Sequence, residues 1–159
     1  MPHSPSNDLV EDLGAPERNT ILRPFSRSLP MALLRGREAV MVNFRAILLD
    51  DALTEQQWRI MRVLYDQGDK EISELSRICY ILLPSMSGIL KRMATKDLVH
   101  RSQDSQDQRR VTISLSAKGQ DLVKKIAPRL EEQYRRIEKR FGKEQLEHLY
   151  RLLADLEHI

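Results

Sequence analysis

The stretch LVHRSQDSQDQRRVTISLSAKG, residues 98–119, decides the fold. Residues 98–101 and 111–115 alternate apolar with polar side chains and have the composition of β-strands. The polar segment between them ends in the adjacent Arg109 and Arg110. The pattern predicts a two-stranded hairpin with a basic tip.

Two short helices are predicted immediately before this hairpin. Ile72, Leu75 and Ile78 have the spacing of a helix of two to three turns. After a break, Pro84 stands where the first turn of a second helix tolerates proline. That second helix is predicted to turn Met86, Ile89, Leu90 and Met93 inward, and Ser85, Ser87, Lys91 and Arg92 outward. Helix, turn, helix and basic hairpin form a winged helix-turn-helix, so the predicted fold is mainly α with a small β-hairpin wing.

Further helices are predicted on the N-terminal side of these elements. Apolar residues recur at helical spacing over residues 31–48. Thr54 and Gln57 have the spacing of a capping box, which predicts a second helix that Gly68 ends.

The C-terminal side is also predicted to be helical. Ser116 is the expected N-cap of a long amphipathic helix, which Pro128 should bend and Gly142 should end. A last helix carries Leu146, Leu149, Leu153 and Leu156 at heptad-like steps. These helices carry more apolar surface than the small winged domain can cover, which predicts a homodimer.

The predicted organisation is a flexible proline-rich arm followed by one domain. Five of the seven prolines fall within residues 1–30, among Ser, Asn and Asp, and residues 20–30 are expected to be extended. The domain is assigned to residues 31–159, with the winged helix-turn-helix over about 54–115 and dimerisation helices over about 31–50 and 116–159.

Composition and charge narrow the function classes. Charged residues make up 31% and hydrophobic residues 41%, and no apolar run approaches the roughly 18 residues of a membrane span. The first ten residues lack the pattern of a secretory signal, and the single cysteine, Cys79, fits a reducing compartment, so a cytoplasmic protein is expected. The net charge of +3 is mildly basic, so the clustering of the basic residues matters more than their total.

These elements resemble the MarR family of bacterial transcriptional regulators over about residues 31–159. The likeness rests on Asp107-Gln108-Arg109-Arg110, on the following segment 111–119, and on the recognition helix 83–93. It implies a repressor that binds double-stranded DNA at a pseudo-palindromic operator. Arg109 would read the minor groove, with Asp107 orienting it and Arg110 beside it. The outward residues of the recognition helix would enter the major groove, unless Ser85 simply caps that helix.

A narrower resemblance points to the branch that regulates aromatic-acid catabolism, including hydroxycinnamate-operon and homoprotocatechuate-operon repressors. It rests on residues 35–39, RGREA, and 53–60, LTEQQWRI. The resemblance implies release from DNA by a small aromatic carboxylate. The chain departs from that branch at Leu83, where arginine is frequent, and at Asp97, where glycine is usual.

An effector site is predicted around Arg37, which interrupts the apolar stripe of the first long helix. A half-buried arginine needs an anion, and an aromatic carboxylate can supply it. The side chains expected to line the pocket are Met41, Phe44, Arg45 and Trp58. The alternative is a structural salt bridge from Arg37 to Glu38 of the partner subunit or to Glu131.

Other functions are compatible with parts of the sequence. The repressor could answer to a hydrophobic drug or fatty acid, or to oxidation of Cys79. The chain could also be a helical interaction protein that binds no DNA. No glycine-rich phosphate loop, catalytic triad or metal-ligand spacing is present in the sequence, so neither an enzyme nor a cofactor is expected.

Overall fold

The computed structural model describes residues 23–103 and 111–159. This part of the chain is mainly helical with a small antiparallel sheet, which confirms the predicted fold class. The elements in chain order are a 3-10 turn (Phe25–Arg27), α1 (Leu29–Asp50), α2 (Glu55–Gln67), β1 (Lys70–Glu71), α3 (Ile72–Cys79), α4 (Leu83–Thr95), β2 (Val99–Gln103), β3 (Val111–Leu115), α5 (Ala117–Phe141) and α6 (Lys143–Leu156).

The chain divides into two compact units, residues 1–39 and 40–159. In the first, the helix predicted from Met31 begins two residues earlier, at Leu29, since proline at position 30 falls in the first turn, where no backbone N–H is needed. Residues 25–27 form a 3-10 turn, so the expectation of an extended segment is wrong there. The predicted flexible arm otherwise falls largely on residues 1–22, which lie outside the described residues.

One hydrophobic core holds the second unit together. The α4 residues predicted to face inward are all buried, and α1, α2, α3, β3 and α5 each add apolar side chains to the same cluster. Its fully buried members include Leu48, Ile60, Met61, Leu75, Met86, Leu90, Met93, Ile113, Val123 and Ile126.

The helix ends confirm the predicted capping residues. The Thr54 hydroxyl accepts a hydrogen bond from the Gln57 backbone N–H at 3.2 Å, and the Gln57 side chain accepts one from the Thr54 N–H at 3.1 Å. Ser116 caps α5 by accepting from the Gly119 N–H at 2.9 Å. Gly68 and Gly142 end α2 and α5 with φ angles of 74° and 97°, which glycine adopts without a steric penalty.

The wing is a three-stranded sheet in the order β1-β3-β2, whereas the sequence predicted two strands. β2 and β3 form the hairpin, with Val99 opposite Leu115 and Gln103 opposite Val111. β1 pairs with the other edge of β3, placing Lys70 opposite Ile113. This third strand joins the wing to the start of α3.

The base of the hairpin packs directly against the start of α5. A Cβ atom on Gly119 would stand 2.3 Å from the Leu98 carbonyl oxygen and 2.8 Å from the Leu115 Cδ1. Asp97, in the turn before β2, has a φ of 57°. It therefore adopts the left-handed backbone conformation that glycine adopts most easily. The Ser116 hydroxyl donates to the Asp97 carbonyl at 2.7 Å and fixes that turn.

Ion pairs join the end of α1 to the middle of α5. Asp51, whose side chain is 7% exposed, accepts from Lys125 at 2.5 Å and from Arg129 at 3.0 Å. Arg129 also pairs with the more exposed Asp50. α5 stays helical through Pro128, and the predicted bend there stays a prediction.

Candidate nucleic-acid interface and effector site

The outward face of α4 has the charge and exposure of a surface for a polyanion. The four side chains predicted to face outward, Ser85, Ser87, Lys91 and Arg92, are all exposed. The helix contains two basic residues and no acidic residue. The Arg92 guanidinium lies back over Gly88, one turn nearer the start of the helix. Positive charge therefore lies over the middle of α4 rather than only at its end.

The start of α4 is free of side-chain capping. Its N-cap is Leu82, which makes no capping hydrogen bond, so the alternative in which Ser85 simply caps the helix is wrong. Ser87 donates to the Leu83 carbonyl at 3.3 Å. Among the described residues, the Ser85 hydroxyl has no hydrogen-bond partner, which leaves it available at the helix surface.

A short turn fixes the angle between α3 and α4. Ile81 is buried, and its N–H donates to the Ser76 carbonyl at 3.1 Å. The Ser76 hydroxyl returns a hydrogen bond to the Ile81 carbonyl at 2.5 Å. Tyr80 adopts the left-handed conformation, with φ of 51°. This locked turn holds the exposed face of α4 in one orientation relative to α3.

The segment predicted to form the basic tip of the wing follows β2 in the sequence and precedes β3. Asp107, Arg109 and Arg110 lie between the paired Gln103 and Val111, outside the residues that the structure describes. Their roles stay predictions.

Two of the predicted effector-site residues are occupied in other interactions. Phe44 is buried, and its ring packs edge-on against the Tyr134 ring, with centroids 5.0 Å apart. Arg45 forms an ion pair with Glu55 at the start of α2. Met41 and Trp58 are partly buried and pack against the core.

Arg37 is more exposed than the sequence suggested. Its side chain is 44% exposed, and its Nη1 lies 2.8 Å from the Glu38 Oε1 of the same chain. The structure thus pairs Arg37 with Glu38 of its own chain, and a salt bridge to Glu38 of the partner subunit or to Glu131 stays a prediction. Arg37 belongs to the first unit, whereas the other four predicted effector residues belong to the second.

Arg62 and Tyr134 were missed as candidate effector-site residues. Burial raises the pKa of the Tyr134 phenol, Tyr150 and the Glu131 carboxylate raise it further, and the positive charge of Arg62 opposes that rise. Arg62 lies one turn after Trp58 on α2, and its Nη2 pairs with the Asp66 Oδ2 at 2.8 Å. The four-residue spacing of Trp58 and Arg62 was visible in the sequence, but the proximity of α5 was not.

Cys79 is fully buried at the end of α3. Burial raises the pKa of its thiol, and the nearby Arg59 guanidinium offsets part of that rise. Arg59 also donates to the Cys79 backbone carbonyl at 2.5 Å. A buried thiol with a raised pKa carries little of the reactive thiolate at neutral pH.

The described residues hold no cluster of three or more His, Cys, Asp or Glu side chains that could bind a metal ion. Within the same part of the chain, no helix combines the length and apolar character needed to cross a membrane.

Residues 53–111, which contain α2, the helix-turn-helix and most of the wing, match the sequence profile of the MarR family. The homoprotocatechuate degradative operon repressor of Escherichia coli is 43% identical over 128 residues, which cover 80% of this chain and 86% of that repressor. The chain belongs to the MarR family. The prediction made from the wing signature and the recognition helix is thereby confirmed.

Two further proteins are similar to this chain over most of their length. The transcriptional regulator FarR of Neisseria gonorrhoeae is 40% identical over 132 residues, which cover 83% of this chain and 90% of FarR. The crystal structure of NadR in complex with 4-hydroxyphenylacetate is 39% identical, with a TM-score of 0.74, and the match covers 85% of this chain and 96% of NadR. The homoprotocatechuate operon repressor and the NadR complex with an aromatic carboxylate support the assignment to the aromatic-acid branch.

Proposed function

We propose that this MarR-family protein is a DNA-binding repressor that works as a homodimer and leaves its operator when a small aromatic carboxylate binds. The observation that carries the proposal is the exposed face of α4. It has two basic and no acidic side chains, and the buried Ile81 anchors the turn that orients it. The proposal includes a cytoplasmic location and no enzymatic activity.

The dimer is proposed from apolar side chains that the single chain leaves exposed. They lie on α1, α5 and α6, the helices predicted for dimerisation, and include Leu34, Val42, Leu49, Phe141, Leu149 and Leu152. A two-fold partner would cover such surfaces and present two recognition helices roughly 34–36 Å apart. The operator would then be a pseudo-palindrome with half-sites one helical turn apart.

DNA binding would combine two kinds of contact. Ser85 and Ser87, near the start of α4, have the size and polarity to reach base edges in the major groove, and Lys91 and Arg92 would pair with phosphates. Arg109 would enter the minor groove, with Asp107 orienting its guanidinium and Arg110 adding charge.

The Arg109 role is tested by a salt titration of operator binding measured by fluorescence anisotropy. Arg109→Ala should weaken binding and reduce the slope of log K against log salt by about 1. Arg135→Ala is the matched control, since it removes the same charge from an exposed position on α5 that pairs with Glu132. If the slope of Arg109→Ala equals that of wild type, Arg109 does not contact DNA.

Two arginines are candidates for binding the effector carboxylate. Arg37 was predicted from the sequence, with Met41, Phe44, Arg45 and Trp58 around the aromatic ring. Arg62 is supported by its position one turn after Trp58 on α2 and by the influence of its positive charge on the Tyr134 phenol of α5. The NadR complex supports the ligand class, since 4-hydroxyphenylacetate is an aromatic carboxylate.

Calorimetric titration with 4-hydroxyphenylacetate separates these candidates. The variant that loses its carboxylate partner should bind at least tenfold more weakly, because charge-assisted hydrogen bonds contribute about 1.5–3 kcal/mol. Arg37→Ala and Arg62→Ala are compared with each other, each serving as the other's control for a lost arginine. Wild-type affinity in both variants would contradict recognition of the carboxylate by either arginine.

Oxidation of Cys79 is the less favoured signal. The thiol is fully buried, and burial raises its pKa, both of which oppose reaction with an oxidant.

A further inference from the structure

The turn before α4 exposes an unusual group of apolar side chains. Tyr80 is 85% exposed, Leu82 is 79% exposed and Leu83 is 50% exposed. From the start of α2 to the end of β3, the described residues include one other exposed large hydrophobic side chain, that of Tyr65 on α2. Single exposed leucines are common on protein surfaces, but three large apolar residues within four positions form a patch that calls for a partner.

The patch is held in place rather than free to fold inward. Ile81, between Tyr80 and Leu82, is buried in the core. Its N–H donates to the Ser76 carbonyl, and the Ser76 hydroxyl donates to the Ile81 carbonyl. The Leu82 carbonyl accepts from the Met86 N–H at 2.9 Å, which ties the residue to the first turn of α4. Leu82 and Leu83 therefore stay directed away from the core.

The patch is continuous with the proposed DNA-binding face. Leu83 begins α4, Ser85 and Ser87 follow it on the same helix, and all three are exposed. The basic residues of this helix favour a polyanion as the partner of the whole surface. In the major groove of DNA, the apolar group that a leucine can contact is the C5 methyl of thymine.

We propose that Leu82 and Leu83 recognise thymine methyl groups at the edge of each half-site, an inference that rests on the proposed function of DNA binding.

The probe is a pool of DNA duplexes that wild-type protein enriches from random sequence. The pool is amplified once with dTTP and once with dUTP, which removes only the thymine methyl groups. Loss of one methyl contact is expected to weaken binding about fourfold, which corresponds to ~0.8 kcal/mol for one buried CH₂-sized group. If Leu82 and Leu83 together cover one methyl group in each half-site, the two half-sites give a loss of about fifteenfold.

The protein arm of the experiment is the double variant Leu82→Ala, Leu83→Ala, with Tyr65→Ala as a control for truncating an exposed apolar side chain elsewhere. Wild type and the control should lose about fifteenfold on the dUTP pool, and the double variant less than about fourfold. The double variant should also keep the wild-type salt slope, because no charge is removed. Thermal unfolding confirms that each variant is folded.

The outcomes distinguish this inference from the proposed function. If no DNA is enriched, both the proposed repressor function and the thymine-methyl inference are wrong. If wild type binds the two pools equally, or the double variant loses as much as wild type on the dUTP pool, the inference falls and the repressor function stands. A change in the oligomeric state of the DNA-free double variant would show that the patch contacts protein, which also overturns the inference.

Discussion

Replacing Gly119 by alanine should destabilise the protein even though alanine favours helices. Gly119 lies in the first turn of α5, where an added Cβ would stand 2.3 Å from the Leu98 carbonyl oxygen and 2.8 Å from the Leu115 Cδ1. Ordinary contacts begin near 3.4 Å, so the carbonyl and the helix must separate by about 3.4 − 2.3 = 1.1 Å. The carbonyl belongs to the backbone and cannot rotate away, as the end of a side chain can.

The magnitude is the difference of two opposing effects. Overpacking costs typically about 1–3 kcal/mol, and a backbone neighbour places this site near the upper end. The higher helix propensity of alanine stabilises the folded state by about 1 kcal/mol and offsets part of this cost. The free energy of unfolding should therefore fall by about 2 kcal/mol, or roughly 4–8 °C in Tm for a chain of this size.

Urea unfolding at constant m-value measures the effect, with Gly88→Ala as the matched control. Gly88 also lies inside a helix, but the nearest atom to its added Cβ is the Arg92 Nη1 at 3.6 Å, an ordinary contact. Gly88→Ala should leave stability unchanged or raise it by up to about 1 kcal/mol. The reasoning is refuted if Gly119→Ala is as stable as Gly88→Ala.

The buried carboxylate of Asp51 should matter more than its exposed neighbour: Asp51→Ala should lower the free energy of unfolding by about 1–2 kcal/mol, and Asp50→Ala by less than about 0.5, in urea titrations. Equal losses would show that burial is irrelevant to the ion pairs. Cys79 should react with a thiol reagent at least a hundredfold more slowly in folded than in denatured protein, because it is fully buried; labelling at the denatured rate would restore a redox role. The raised pKa of Tyr134 means that its neutral phenol is favoured in the folded state, so stability should fall as the pH rises above about 10. Tyr134→Phe should flatten that fall in pH-dependent thermal unfolding, and an unchanged profile would assign it to other groups.

Elements with local signals were predictable from the sequence. The capping box of Thr54, the glycines that end α2 and α5, and the serine cap of α5 each depend on residues within about four positions. The recognition helix was predicted with its two faces because the apolar spacing in its 13 residues matches a single helical stripe.

Features that depend on distant residues were not predictable. β1 has two residues and pairs with a strand more than forty positions away, so no alternation pattern could reveal it. The influence of the Arg62 charge on the pKa of Tyr134 depends on how α2 and α5 pack, and periodicity carries no such information. Phe44 illustrates the same limit, since its helical position fits a pocket wall as well as the core packing observed.

The strand order of the wing has a consequence for the colloidal behaviour of the protein. β3 is paired on both sides, so the sheet edges are β1, of two residues, and β2. Exposed edge strands invite pairing with other molecules, and short length or charged side chains discourage it. After the buried Val99, β2 presents His100, Arg101, Ser102 and Gln103, all exposed and polar. We therefore expect the described edges of the wing to resist intermolecular strand addition at high protein concentration.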